Sequence, residues 1–574
     1  MTDIRRTVLW VVFTMSLVLL WDGWQKHNGH PSMFSPAPAK PVAASGPAGT
    51  PGAALPAPNA LPAGSTTPAA AAPAVAASEK LTITTDVMTV TLDTLGGAVS
   101  RVELPKYLHA PEPALFDPLL EKLGMKEKRQ AAEQPIVLID PARSYQAQSG
   151  LLGSKGEQLP THLTPMMAQP GERKLADGAK ELVVRLESAE VGGVKLVKTY
   201  TFKRGDYVID VKHEIVNAGA APVVPQLYLQ LVRDGHVEHS GPSMAPSAFT
   251  GPAVYTEKNA FHTIKFEDIA KDKVDIQKSA NDGWVAMVQH YFVSAWLPKD
   301  NSGAREFFAR KVAGSVPEQY AVGMVFTLPS LAPGASTTQN DQLFVGPAEE
   351  NKLAALAPGL QLVKDYGIFK VLAQPLFWLL NQLHGILGNW GWAIIALVVL
   401  LKIAFYWLNA SAYRSMAKMK AINPKIQAMR ERLKDKPQEM QQEMMRIYRE
   451  EKVNPVGGCL PIFLQMPFFI ALYWVLLSSV EMRGAPWLGW ITDLSVRDPY
   501  FILPLLMTAS SLFQVWLNPK APDPMQQRMM WIMPLAFSVM FFVFPSGLVL
   551  YWLTNNILSI AQQWMINKQL GVQN

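Results

Sequence analysis

Residues 390–408 read WGWAIIALVVLLKIAFYWL, an apolar run interrupted by one charge, Lys402. At about 1.5 Å of rise per residue, a helix of this length crosses a hydrocarbon core of about 30 Å with little to spare. Lys402 therefore belongs inside the bilayer. A lysine at mid-membrane costs roughly 2.5–3.5 kcal/mol on insertion scales, so it must pair, snorkel to a headgroup or line a wet cavity.

Composition agrees with a membrane protein. Of 574 residues, 49% are hydrophobic and 17% charged, with 16 Trp and 24 Phe, which argues against a simply soluble enzyme. The net charge of +6 is modest. Much of its positive part follows Leu408, which fits topology or an anionic partner and not a DNA-binding surface. The single cysteine, Cys459, excludes an intramolecular disulfide, so an exported domain here must be stable by burial alone.

Upstream, Arg5 and Arg6 precede an apolar run, and Trp21 and Trp24 suit an interfacial belt. Residues 1–25 are expected to be a first transmembrane helix, an uncleaved anchor with a cytoplasmic N-terminus. Residues 26–78, rich in Pro and Ala, form a flexible linker. Period-two segments such as ELVVRLES and VKLVKTYTFK, with Gly96-Gly97 and Gly192-Gly193 as turn signals, predict a large exterior all-β sandwich over 79–348. Residues 349–388 place Tyr366, Phe369, Leu372, Leu376, Leu379, Leu380 and Leu383 at helical spacing, as in a helix lying in the outer interface, with His384 facing water.

The second span, 389–408, returns the chain to the cytoplasm. Residues 409–456 carry eleven Lys or Arg against six Asp or Glu, so this loop lies inside. Met416, Met419, Ile422, Ile426, Met429 and Leu433, then Met440, Met444 and Ile447, mark a helical hairpin with a methionine-rich seam. Further spans are expected at 457–480, 499–517, 529–545 and 546–567, with a cytoplasmic tail at 568–574. Six spans put both termini inside.

Depth arithmetic locates the polar groups. Lys402 lies about 9 Å, Gln465 about 12 Å and Gln514 about 5 Å from the inner ends of their spans. Asn555 and Asn556 fall near the midplane, and Gln562 and Gln563 near the inner end. Uncompensated, these groups would be costly in lipid. Two readings fit: they line a hydrophilic pocket open to the cytoplasm, or Lys402 snorkels while the amides join helices. No metal spacing, phosphate loop or nucleophile motif is present, so neither enzyme chemistry nor a cofactor is expected. Histidines 213, 236, 239 and 290 stand in the exterior domain, where neighbouring carboxylates are conceivable and ordinary strand or loop roles are the default.

The stretches SMAKMKAINPKIQAMRERL, KVNPVGGCLPIFLQMPFFIALYWVL and DPMQQRMMWIMPLAFSVMFFVFPSGLVLYWLTNNILSIAQQW closely resemble the YidC membrane-protein insertase family. WVAMVQHYFVSAW at 284–296 resembles that family's Gram-negative periplasmic domain, so the likeness spans nearly the whole chain. It implies an inner-membrane insertase and chaperone for nascent membrane proteins, working alone from the ribosome or beside the Sec translocon. It also implies a five-helix core around a groove open to cytoplasm and lipid, with a galactose-mutarotase-type supersandwich in the periplasm. Sugar chemistry does not follow from that fold. Relatives commonly carry arginine where Lys402 stands; lysine keeps the charge and loses the planar fork. Their "MYPL" reads Phe405, Tyr406, Trp407, Leu408 here, without the proline. Some have a long basic C-terminal tail, whereas GVQN ends this sequence, which leaves ribosome contact to 409–456. The methionine seam would then offer an adaptable surface for clients or signal-recognition partners. A small-solute transporter is the alternative, against which stand the lack of an internal repeat and of an intramembrane acidic partner. A sugar-sensing exterior domain is a third.

Overall fold

The computed structural model describes residues 78–109, 117–122, 125, 134–237, 249–299, 303–315, 317–433, 436–451, 460–518 and 524–569. The expected first span, nearly all of the linker, His239, Cys459 and most of the tail lie outside the described residues.

Among the described residues, alternation along each strand builds two antiparallel nine-stranded sheets. One runs β1 (Lys80–Thr84), β2 (Thr89–Asp93), β3 (Ala98–His109), β5 (Gln146–Gly153), β10 (Pro225–Asp234), β17 (Gln319–Thr327), β16 (Arg305–Lys311), β13 (Ser279–Ala280), with β4 (Gln134–Ile139) on β3. The other runs β12 (Ala260–Thr263), β11 (Gly251–Thr256), β14 (Trp284–Val288), β15 (Phe292–Pro298), β18 (Ser336–Pro347), β9 (Val208–Asn217), β8 (Val194–Lys203), β7 (Glu181–Ser188), β6 (Met166–Ala168). On β7, Leu182, Val184 and Leu186 point inward and meet Leu227, Leu229 and Leu231 of β10 in one core. Burying such side chains contributes roughly 1.5–3 kcal/mol each. Gly96, in the turn between β2 and β3, has φ +67°, and a Cβ there would lie 2.1 Å from the His162 carbonyl oxygen. Only glycine fits.

Polar groups also bridge the sheets. The Trp296 indole N–H donates to the Gln230 carbonyl at 3.1 Å, and Lys198 Nζ donates to the Gly96 and Ser149 carbonyls at 2.6 and 2.8 Å. Burial without an acidic hydrogen-bond partner lowers the Lys198 pKa from 10.5 to about 7. Between those values the unfolded chain binds the extra proton, so the sandwich gains stability as pH rises, by up to about 1.4 kcal/mol per pH unit. Thermal unfolding followed by tryptophan fluorescence from pH 7 to 9 is expected to show this slope in the native chain and not in Lys198→Met.

Three short helices, α1 (Asp117–Lys122), α2 (Phe266–Ala270) and α3 (Glu350–Leu356), attach to the sandwich sequence. The helical part comprises α4 (Lys370–Leu387), α5 (Trp390–Ala404), α6 (Tyr406–Arg432), α7 (Pro437–Glu450), α8 (Leu460–Ser478), α9 (Ile502–Leu517), α10 (Pro524–Phe541) and α11 (Ser546–Gln569). α4 buries Ala373, Leu376, Phe377 and Leu380 against α5 and α8, while Val371, Trp378 and Ile386 stay exposed. His384, expected to face water, stacks on the Trp390 ring at 3.9 Å because α5 begins directly after the α4 turn.

Among the described residues no single helix is long and apolar enough to cross a membrane; α5 with Asn409–Ser415 passes only as a pair bent by 66°. The opening stretch is thus two helices. Phe405 ends α5, its ring set edge-on against Phe468 of α8 at 5.0 Å, and the chain turns there without the proline of relatives. Lys402 consequently stands in the last turn of α5.

Candidate functional site: a polar chain between helices

α11 organises the polar residues, because positions 555, 559 and 562 share one helical face and 556 and 563 the next. On the first face, Lys402 Nζ donates to Ser559 Oγ at 2.7 Å, and that hydroxyl donates to the backbone carbonyl of Asn555, one turn earlier in the same helix, at 2.7 Å. Gln465 Nε2 of α8 reaches Asn555 Oδ1 at 2.7 Å. Lys402 on Ser559 and Gln465 on the Asn555 side chain thus tie α5 and α8 to neighbouring turns of the same α11 face, in one polar series. Tyr413 of α6 also stands beside Ser559, and Tyr551 beside Gln465. Gln562 Nε2 approaches the Tyr406 carbonyl at 3.3 Å, tying α11 to the start of α6.

The second face looks elsewhere. Asn556 Nδ2 donates to Ser510 Oγ of α9 at 2.8 Å, and Gln563 Nε2 to Asn518 Oδ1 at 3.0 Å. Both are buried helix-to-helix ties. Gln514, half-buried on α9, belongs to neither chain of bonds. Seven residues expected to share one groove are thus split: three joined on one face, Gln562 beside them, and three on the α9 side. Rotation by about 100° per residue separates Asn555 from Asn556. Ser559 and Tyr413 were not among the expected groups. The four-residue step from Asn555 to Ser559 was the signal for the first; nothing local marked the second.

The cytoplasmic hairpin forms from α6 and α7. Ile422, Ile426 and Met429 are buried, with Leu433, Met440, Met444, Ile447 and Tyr448 packed on them. Of the residues expected to offer a client surface, Met429 is buried in this seam, while Met440 and Met444 are half-buried against it. Met445 is exposed instead. The side chains of Met416 and Met419 lie outside the described ones.

In the sandwich, His213 Nδ1 bonds Asp341 Oδ2 at 3.0 Å and His213 Nε2 bonds Ser149 Oγ at 2.9 Å. The order resembles a hydrolytic triad, but Ser149, His213 and Asp341 are 2%, 0% and 1% exposed, so no substrate reaches the hydroxyl. Burial holds the His213 pKa down against the pull of Asp341. The trio is a tie between sheets. The His236 backbone N–H approaches Asp234 at 3.3 Å, and His290 Nε2 bonds the Leu477 carbonyl at 3.0 Å. Among the described residues no cluster of three His, Cys, Asp or Glu side chains is placed to hold a metal.

Residues 382–573 match the family model described as 60Kd inner membrane protein, and residues 80–379 the one described as YidC periplasmic domain. The membrane protein insertase YidC of Cupriavidus necator is 54% identical to this chain, covering 99% of it and 98% of its own length. The chain belongs to the YidC family. The YidC of Ralstonia nicotianae is 51% identical, with coverage of 99% and 98%. A crystal structure of an active YidC insertase with its first transmembrane domain resolved covers 84% of this chain and 91% of its own, at 17% identity and TM-score 0.38, too distant to argue from. The YidC periplasmic match falls on the sandwich, and the inner-membrane match on the helices that carry the polar chain.

Proposed function

We propose that this chain is a membrane protein insertase of the inner membrane whose polar chain holds the hydrophilic flank of an entering segment. The observation that carries the groove is the Lys402–Ser559–Asn555–Gln465 series, which gathers an ammonium, a hydroxyl and two amides from three helices on one face of α11. Each has a bond to exchange for one with a client, so a polar flank enters without losing all its hydrogen bonds. Apolar side chains exposed on α10, among them Ile532, Phe537 and Val539, and Met466 of α8 offer walls for the hydrophobic segment. Release into lipid is driven by burial of the client's own apolar surface.

In this reading the sandwich is periplasmic, both termini are cytoplasmic, and the α6–α7 hairpin meets the ribosome, signal-recognition components or the Sec translocon. The family is named for insertion and not for a bond-making reaction. The transporter alternative has no support from relatives named as insertases over nearly their full length. A photo-crosslinker at position 465, tested with ribosome-bound membrane-protein clients, is expected to give client adducts. Efficient insertion without adducts would remove the groove.

A further inference from the structure

The sandwich touches the helical part through a set of side chains gathered at the outer end of α8. In the turn between β14 and β15, the neutral His290 ring donates its Nε2–H to the Leu477 carbonyl at 3.0 Å, in the last turn of α8. Helix ends leave such carbonyls without intrahelical donors, so this ring caps α8 from the sandwich. Just beyond α8, Arg483 Nη2 donates to the Leu108 carbonyl at the end of β3 at 2.9 Å.

The covalent connection is built as tightly. Lys364, between α3 and α4, has a side chain only 1% exposed; its ammonium lies 3.1 Å from Glu481 Oε2 and 3.6 Å over the Phe377 ring of α4. Tyr366 is buried beside it and donates its hydroxyl to Glu350 of α3. Next, Gly367 at φ +61° lies so close to α8 that a Cβ would sit 2.5 Å from the Trp474 ring. Breaking a buried ion pair on one side leaves the other charge uncompensated, so loss of Lys364 destabilises this junction.

We propose that the sandwich braces α8 from outside, with Lys364 and His290 as positioning residues that hold Gln465 opposite Asn555. α8 is one lever for this purpose. Leu477 and Gln465 lie in the same helix, about 18 Å apart along its axis. A tilt at the braced end therefore appears where the polar chain crosses from α8 to α11. This consequence rests on the groove reading.

The test places photo-crosslinkers at 465 on α8 and at 402 on α5, in the full chain in membranes with ribosome-bound clients. Lys364→Met is expected to lower adducts from 465 by roughly tenfold while those from 402 persist, because only α8 loses its brace. Lys364→Arg keeps the charge and restores them. His290→Ala is expected to act like Lys364→Met, and His290→Gln, which keeps a donor for Leu477, like the native chain. Adducts falling equally at both positions, or at neither, would overturn the brace. Hydrogen exchange separates the two readings. If the native chain gives no adducts anywhere, the groove fails, and the brace then stands only if amides 470–478 exchange faster in Lys364→Met while those of α9 do not.

Discussion

Lys402→Glu is expected to reduce insertion of clients with acidic flanks by tenfold or more. The ammonium donates to Ser559 on the same α11 face where Asn555 meets Gln465, and it is the one charge in that series. Hydrogen bonds to charged groups are worth about 1.5–3 kcal/mol, and a change of 1.4 kcal/mol is about tenfold. A carboxylate at this position would also repel the acidic flank that the ammonium attracts, and would leave a charge of the wrong sign among acceptors. Lys402→Arg keeps the charge and a donor for Ser559, and is expected to insert within about twofold of the native chain. Lys402→Ala should fall between. The measurement is the protease-protected fraction of matched clients with acidic and neutral flanks. Equal insertion by all four proteins would mean that the charge at 402 plays no part in recognising the flank.

Trp296→Ala is expected to destabilise the sandwich by about 3–5 kcal/mol, the range for removing a large buried aromatic side chain. Trp296 is 1% exposed, lies in the common core, and ties β15 to β10 of the opposite sheet through its indole N–H. The loss combines an inter-sheet cavity with a lost bond. Trp296→Phe keeps most of the volume and should cost clearly less. Denaturant unfolding followed by fluorescence of the remaining tryptophans checks both. If the brace on α8 depends on an intact sandwich, Trp296→Ala near its unfolding midpoint should also lose adducts at 465 before those at 402.

Much of this was legible in the order of residues. Alternation along β7 and β8 is a local property, because successive side chains point to opposite faces, so a two-sheet core follows from the pattern. The apolar runs and Lys402 likewise announce a membrane-embedded helical core and a charge that must be accommodated. The hairpin seam was readable as spacing, but whether a methionine stripe faces a client or its own partner helix depends on how α6 and α7 fold back. The break at Phe405 was hidden, since no proline marks it and the residue that stabilises it, Phe468, is distant in sequence.

By itself, then, the sequence determined the element types, the alternation that buries the sandwich core and the presence of strong polar groups in apolar helices, all consequences of local periodicity. The tertiary structure alone decided which of those groups meet. Asn555 and Asn556 are neighbours in the chain but face α8 and α9 respectively, because helical rotation separates adjacent side chains. The pairing of Lys364 with Glu481, 117 positions apart, arises only when sandwich and helices pack together. No local pattern can encode a partner whose position is set by the rest of the fold.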